Sequence, residues 1–468
     1  MGHLQDLARL PVGEARISLP ELMGAFSFAL DLTEGQPEGH SLRACWIAMQ
    51  AAALLKADAE ELHTIYYATM LKDLGCSSNA ARVAEVYLTD DRSFKHDFKL
   101  VGQGIGPALR FVFAKTGRSE TIWRRGAAIM NILRNGPHIV DDMIGARCTR
   151  GAEIARLLRF PEDVAQGIYS LDEHWDGSGR PAGLKERGIP LASRMALLGQ
   201  ISDVFFSSAG PAAARTEVAR LSGSWLDPSA CEAFLAVSDN DAFWQQLDDG
   251  ALHEAVASLL PDDAGLLVDD DYLDDITAAF GQVIDAKSPF TSGHSQRVGD
   301  YATVVGKKMG LDEKQLRSLR RAAMLHDVGK LGVSSKILEK PGKLEDDEWT
   351  AMRSHAERTA EILGRIAPMR AMAKIAASHH ERLDGMGYPL GLDDSQLAIE
   401  ARIITVCDFF DALTADRPYR AALSVEEAFA IMEKEAGKAI DPVCLAILRE
   451  ADVQVREEHA WRAGEAKP

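Results

Sequence analysis

The stretch DEKQLRSLRRAAMLHDVGK, residues 312–330, decides the fold class. Asp312 is a residue type that accepts hydrogen bonds from the free N–H groups at a helix start, and Gln315, three positions on, can reciprocate. Leu316, Leu319, Ala322 and Ala323 then repeat at helical spacing and form one apolar stripe. The stripe ends in two polar residues, His326 and Asp327. Lys330 lies four positions past His326, one helical turn away on the same side. Working outward, Trp349, Met352, Ala356, Thr359 and Ile362 repeat the helical period, as do Met372, Ile375 and Ala376, and later Ile399, Ile403 and Ile404. Segments of period two are scarce. The expected fold class is all-α.

At 468 residues the chain is too long for one ordinary core, so two or three domains are expected. Apolar residues at 46% and charged residues at 26% match a globular protein. No run approaches the roughly 18 apolar residues of a membrane span. The opening MGHLQDLARLPVGEARISLP lacks a basic region followed by an apolar one, so no secretory signal is expected. Six scattered cysteines without a C-x-x-C pair argue against a disulfide framework or zinc finger, and the cytoplasm is the expected compartment. The net charge of −18 repels long polyanions and excludes DNA or RNA binding as the main task. A small phosphate ligand is compatible with it if basic residues cluster locally.

The C-terminal half places polar residues on otherwise apolar helical faces. His294 shares a face with Val298, Tyr301 and Val305; His355 lies on the stripe of Met352 and Ile362; His379 continues the stripe of Met372 and Ala376, with His380 beside it; Asp408 follows Ile404 by four. A single histidine in such a place is ordinarily a core residue with a satisfied hydrogen bond. Five histidines and two carboxylates buried together would cost several kcal/mol per ionised group without partners. Divalent metals supply those partners, and imidazole with carboxylate suits iron, manganese, zinc or nickel. Two metals bridged by a carboxylate are suited to phosphoester hydrolysis.

His326-Asp327-x-Gly329-Lys330, together with His379-His380-Glu381-x-x-Asp384-Gly385-x-Gly387-Tyr388-Pro389, resembles the HD-GYP family, a branch of the HD phosphohydrolases. The resemblance runs through GHSQRV (293–298), the helix of His355 and CDFFDALTADRPYR (407–420), and covers roughly residues 275–450. It implies two divalent ions per chain, held by His294, His326, Asp327, His355, His379, His380 and Asp408, with Asp327 as the bridge. It gives Lys330 a role at the scissile phosphate, Arg417 and Arg420 a grip on ligand phosphates, and Tyr388 a ring for a guanine to stack on. Asp384, Gly385 and Gly387 read as turn chemistry, and Asp411 as a supporting residue. Two positions depart from the family. Phe290 stands where some members have a glutamate that holds a third metal, so a dinuclear site is expected, and Ala356 replaces a common proline. The implied activity is hydrolysis of a cyclic dinucleotide, cyclic di-GMP first, to the linear dinucleotide or GMP. The alternatives are the guanine–adenine hybrid, other nucleotides, or a catalytically silent receptor.

The first half repeats the second. GHSLRACWIA (39–48) and LKDLGCSSN (71–79) match GHSQRVGDYA (293–302) and LHDVGKLGV (325–333), both 254 positions downstream. WDGSGRPAGL (175–184) matches LDGMGYPLGL (383–392) at an offset of 208, and SRMALLGQISDVF continues it, so the first copy carries 46 extra residues. Tandem HD-type helical domains account for this. In the first copy His326, Lys330 and His355 correspond to Lys72, Cys76 and Arg147. His379, His380, Tyr388 and Asp408 correspond to Leu171, Asp172, Arg180 and Gln200. Only His40 and Asp73 remain, and Lys72 is expected to pair with Asp73 in place of a cation. The expected organisation is a degenerate regulatory or structural domain over 1–260, a linker at 261–271, the catalytic domain at 272–455 and a tail at 456–468. A homodimer or a signalling partner is expected to act through the first domain.

Overall fold

The protein is described by a computed structural model over residues 17–101, 104–248, 250–260, 267–416 and 420–451. Among these residues the regular structure is helical apart from one antiparallel sheet, Ile17–Ser18 with Leu267–Val268, and three isolated bridges, with turns and loops between. Two compact units form: Ile17–Val268 together with Ser334–Lys336, and Asp269–Val333 together with the chain from Ile337. Of the expected linker, residues 267 and 268 are the second strand, and Asp269 caps the helix Asp270–Asp285 through Tyr272 N at 2.7 Å. Residues 261–266 and the tail 456–468 lie outside the described residues.

In the C-terminal unit Asp312 accepts from Gln315 N at 2.8 Å while Gln315 Oε1 accepts from Asp312 N at 3.0 Å, starting the helix Glu313–Leu325 as its sequence predicts. Leu319, Ala322 and Ala323 are fully buried. This helix packs on His294–Lys308, which in turn packs on Ile399–Thr414; Asp346–Gly364 lies against Arg370–Ala377 and the 3₁₀ turn Val328–Gly332. Gly329 allows that last contact, because a Cβ there would lie 2.0 Å from the His355 carbonyl oxygen. Trp349 departs from its predicted stripe. It is 45% exposed, and the guanidinium of Arg353 lies 5.7 Å from its ring centre.

The N-terminal unit repeats these relations internally. Leu191–Ala209 packs on His40–Leu54, as Ile399–Thr414 does on His294–Lys308. Gly75 occupies the place of Gly329: its Cβ would lie 1.9 Å from the Arg147 carbonyl oxygen. The extra residues of this copy include the helices Asp91–Lys99 and Ile105–Lys115, and a long helix, Ile122–Leu157, carries Arg147. Val83, Val86, Tyr87, Phe94, Val112, Ile132 and Ile139 make a separate apolar cluster there.

Candidate metal centre

Helix ends place most of the cluster. Gly293, in the left-handed region at φ 70°, turns the chain so that His294 is the first residue of its helix. The helix Glu313–Leu325 stops at His326, earlier than the sequence pattern predicts, and Asp327 leads into the 3₁₀ turn. Lys330 therefore reaches Asp327, with Nζ 2.5 Å from Oδ2, instead of stacking one α-turn above His326. Arg370–Ala377 likewise ends before His379 and His380, which sit in the turn that follows. Asp408 lies within Ile399–Thr414 as expected.

Asp327 lies at the centre with its two oxygens facing different groups. Oδ2 is 3.6 Å from His294 Nε2 and 3.3 Å from His326 Nε2, and Asp408 Oδ1 lies 3.5 and 3.8 Å from the same nitrogens. Oδ1 is 3.5 Å from His355 Nε2 and 3.6 Å from His379 Nε2. His380 joins the second group, its ring centre 4.0 Å from that of His379, and a ligand atom from each of His355, His379 and His380 converges within 4.8 Å. Asp327 Oδ1 is buried with no hydrogen-bond partner, and such an atom is costly unless a cation meets it.

The imidazoles are oriented from behind. Nδ1 of His326, His355 and His379 each donates to the carbonyl oxygen three residues earlier (Ala323, Met352 and Ala376) at 2.6–2.7 Å. Nδ1 of His294 donates to Asp411 Oδ2 at 2.7 Å, and Arg297 holds that carboxylate from its other side at 2.5 Å. With Nδ1 of these four histidines committed, their Nε2 atoms face inward, the tautomer that metal ligation requires. Asp411, read as a supporting residue, has this part.

The two groups differ in charge. Burial opposes the cation at His326, but Asp327 and Asp408 outweigh it and lift its pKa to about 10. Burial holds His355 down at about 4 and, with neighbouring imidazoles, His380 at about 3. Burial would raise the carboxyl of Asp327, yet His326 and Lys330 keep it well below the usual range. A carboxylate between imidazoles, with one oxygen unpaired, fits two divalent ions; His294, His326, Asp327 and Asp408 would hold one, and His355, His379, His380 and Asp327 the other.

Around the cluster, Tyr388 N donates to the His380 carbonyl at 3.2 Å and its ring centre is 4.8 Å from that of His380. The turn is built as expected: Gly385 is left-handed, Asp384 accepts from Met386 N at 3.1 Å, and Glu381 accepts from Leu390 N and Leu392 N at 2.6 and 2.9 Å. Arg353, missed in the sequence, puts its guanidinium 5.3 Å from the Tyr388 ring centre; its place two residues before His355 was the available signal. Arg420 donates to the carbonyls of Leu413, Ala421 and Ala412 at 2.9 Å, binding the end of Ile399–Thr414. Arg417 lies outside the described residues. Phe290 lines a separate groove with Arg297, Tyr301 and Thr414.

At the corresponding place in the N-terminal unit, His40 Nδ1 still meets Asp203 at 2.6 Å and Arg43 holds that carboxylate at 2.5 Å. Lys72, however, is buried and paired with Asp73, and its Nζ also donates to Ser41 at 3.2 Å. Arg147 pairs with Asp172. Glu34, Asp73 and Cys76 converge, but Lys95 and Lys99 each lie 3.0 Å from Glu34, so fixed cations occupy the space an ion would need.

The HD-domain family model matches residues 129–205 and 279–444. The chain is similar to the 3'3'-cGAMP-specific phosphodiesterase 3 of Vibrio cholerae, at 45% identity over 94% of this chain and 96% of that protein. A crystal structure of a cyclic GMP-AMP-specific phosphodiesterase of the same organism aligns with a TM-score of 0.65 and 41% identity, covering 93% of this chain and 98% of that one. The cyclic di-GMP phosphodiesterase response regulator RpfG of Xanthomonas campestris is 36% identical over 38% of this chain and 47% of its own length. Like the first of these relatives along nearly its whole length, and with the cluster above at its C-terminal core, the chain belongs to the HD-GYP branch of the HD-domain phosphohydrolases and carries a degenerate second copy of the domain in its N-terminal half.

Proposed function

We propose that the C-terminal unit hydrolyses a cyclic dinucleotide, 3'3'-cGAMP in preference to cyclic di-GMP. The observation that carries the hydrolytic reading is the split carboxylate of Asp327, whose two oxygens face two separate imidazole groups. The sequence alone ranked cyclic di-GMP first. Near end-to-end similarity to a 3'3'-cGAMP-specific enzyme, against partial similarity to cyclic di-GMP enzymes, supports the hybrid instead.

Divalent metal held by these residues would supply an acidified water and neutralise charge on the phosphate. Asp327 fixes both positions, and the backbone-anchored histidines keep their Nε2 atoms aimed at them. Lys330, 22% exposed with its ammonium on Asp327, stands where a phosphate oxygen can take one of its remaining protons. Tyr388 and Arg353 offer a ring and a stacked guanidinium for a base at the mouth. Arg417 and Arg420 are assigned to substrate phosphate through the family motif, Arg420 from its place at the end of the helix that carries Asp408. The full chain, assayed with 3'3'-cGAMP and cyclic di-GMP side by side, should show the larger kcat/KM for 3'3'-cGAMP and release linear products. A larger value for cyclic di-GMP would overturn the substrate assignment, and turnover of neither would overturn the hydrolytic one.

A further inference from the structure

The N-terminal unit contains a cavity of about 420 Å³ at the site of the lost chemistry, a size typical of small-ligand pockets. Its floor includes Cys76, Arg147, Asp172 and Gln200, the counterparts of Lys330, His355, His380 and Asp408. The 46 extra residues of this copy supply an aromatic wall, Tyr87, Phe94 and Phe98, and Trp225 lines the cavity as well. Drift after loss of a metal pair would be expected to fill such a space with apolar side chains. Here it is open.

Its charge is unbalanced. Lys95 and Lys99 are 12% and 14% exposed and share a single carboxylate, Glu34, at 3.0 Å each. Lys99 Nζ, although that close, is buried and lacks an aligned hydrogen bond. Arg147 has Asp172, and Arg180, at the place of Tyr388, reaches out to Asp141 at the rim. With Arg180 set against Asp141, the lining holds three cations, Lys95, Lys99 and Arg147, against two carboxylates, Glu34 and Asp172. Buried positive charge of this kind is stable when an anion completes it, and a phosphate offers the acceptor that Lys99 Nζ lacks and further ones for Lys95 and Arg147. Aromatic faces beside a cationic floor suit a planar base attached to that phosphate.

We propose that this cavity is a metal-free binding site for a purine nucleotide, whose phosphate rests on Lys95, Lys99 and Arg147 and whose base lies against the aromatic wall. Lys72 and Arg147 stand at the places of His326 and His355, and Lys95 and Lys99 reach in beside them from the inserted helix Asp91–Lys99. The site keeps the attraction for a phosphodiester and loses the means to activate water. Lys95 and Lys99 lie on one inserted helix, Asp91–Lys99, so a nucleotide bound here would tie that helix to Arg147.

Calorimetry on the full chain, kept in chelator and carrying His326→Ala with Asp327→Ala, tests this with GMP, AMP, 3'3'-cGAMP, inorganic phosphate and decanoate. At least one nucleotide should bind more tightly than phosphate, at one site per chain. Lys99→Gln should weaken it roughly tenfold or more, as loss of a charged contact does. Arg180→Glu, at the half-exposed rim of the cavity, should weaken it too. No nucleotide binding, binding untouched by both substitutions, phosphate alone binding as well as nucleotides, or decanoate displacing them would each overturn the proposal.

Discussion

Replacing Asp411 with asparagine removes a charge without removing volume, two bonds behind the metal cluster. Asp411 Oδ2 takes the Nδ1 proton of His294 at 2.7 Å and a contact from Arg297 Nη2 at 3.0 Å; Oδ1 takes Arg297 Nε at 2.5 Å. An amide has one acceptor oxygen, so either His294 or Arg297 must face an NH₂ group. Loss of a charged hydrogen bond costs on the order of 1.5–3 kcal/mol. Supporting residues of this kind typically lower metal affinity or activity about 10- to 100-fold. The expected result is one weakened ion, on the His294 side, with the His355–His379–His380 side unchanged. Metal titration of anaerobically prepared protein, followed by elemental analysis, reads it. Asp203→Asn is the matched control, because Asp203 holds His40 and Arg43 in the same geometry. It should cost similar stability and leave metal content unaltered. An Asp411→Asn chain that binds two ions with wild-type affinity would refute the reasoning.

Lys330→Gln should reduce kcat/KM roughly 10- to 150-fold, the equivalent of one charged contact, and unchanged kinetics would remove Lys330 from the reaction. Arg353→Ala should raise KM about two- to fivefold, the value of an exposed cation–π contact, with kcat and metal content constant. His174, stacked on Trp225 at 4.3 Å, is held at about 4 by burial and by Arg180, below its ordinary 6.5. Between pH 6.5 and 4 the unfolded chain therefore binds the proton that the folded chain refuses, and stability falls as pH falls. The slope is at most about 1.4 kcal/mol per pH unit, less for the part of the ring that water reaches. Urea midpoints at pH 6.5 and 4.5 should converge in His174→Asn; an unchanged difference would discount that histidine.

The sequence made the helical class and the ligand residue types legible because both repeat at fixed spacing: the Asp312–Gln315 cap, the stripe ending in His326, and the His379-His380 block. The tandem copy was legible for the same reason, down to the Lys72–Asp73 pair. What spacing does not carry is where helices stop. The pattern ran the helix of residues 313–325 on through Lys330, whereas the structure ends it at His326 and brings Lys330 onto Asp327. Contacts between distant segments were also out of reach. The support of His294 by Asp411 spans 117 positions, and the stacking of Arg353 on Tyr388 depends on how a helix face meets a turn. Trp349 fits an apolar stripe by period, yet its partner is Arg353 at the surface. The open cavity in the first copy depends on the inserted helices, which match nothing in the second.

The C-terminal unit is proposed to hold a dinuclear hydrolytic centre, and the N-terminal unit none. Metal-free full-length protein, titrated anaerobically with ferrous or manganous ion while hydrolysis of 3'3'-cGAMP is followed, tests it most directly. Activity should rise to a plateau at about two equivalents per chain, and His326→Ala with Asp327→Ala should abolish both the uptake and the turnover. Turnover in the metal-free chain, or stoichiometric uptake that survives this double substitution, would contradict it.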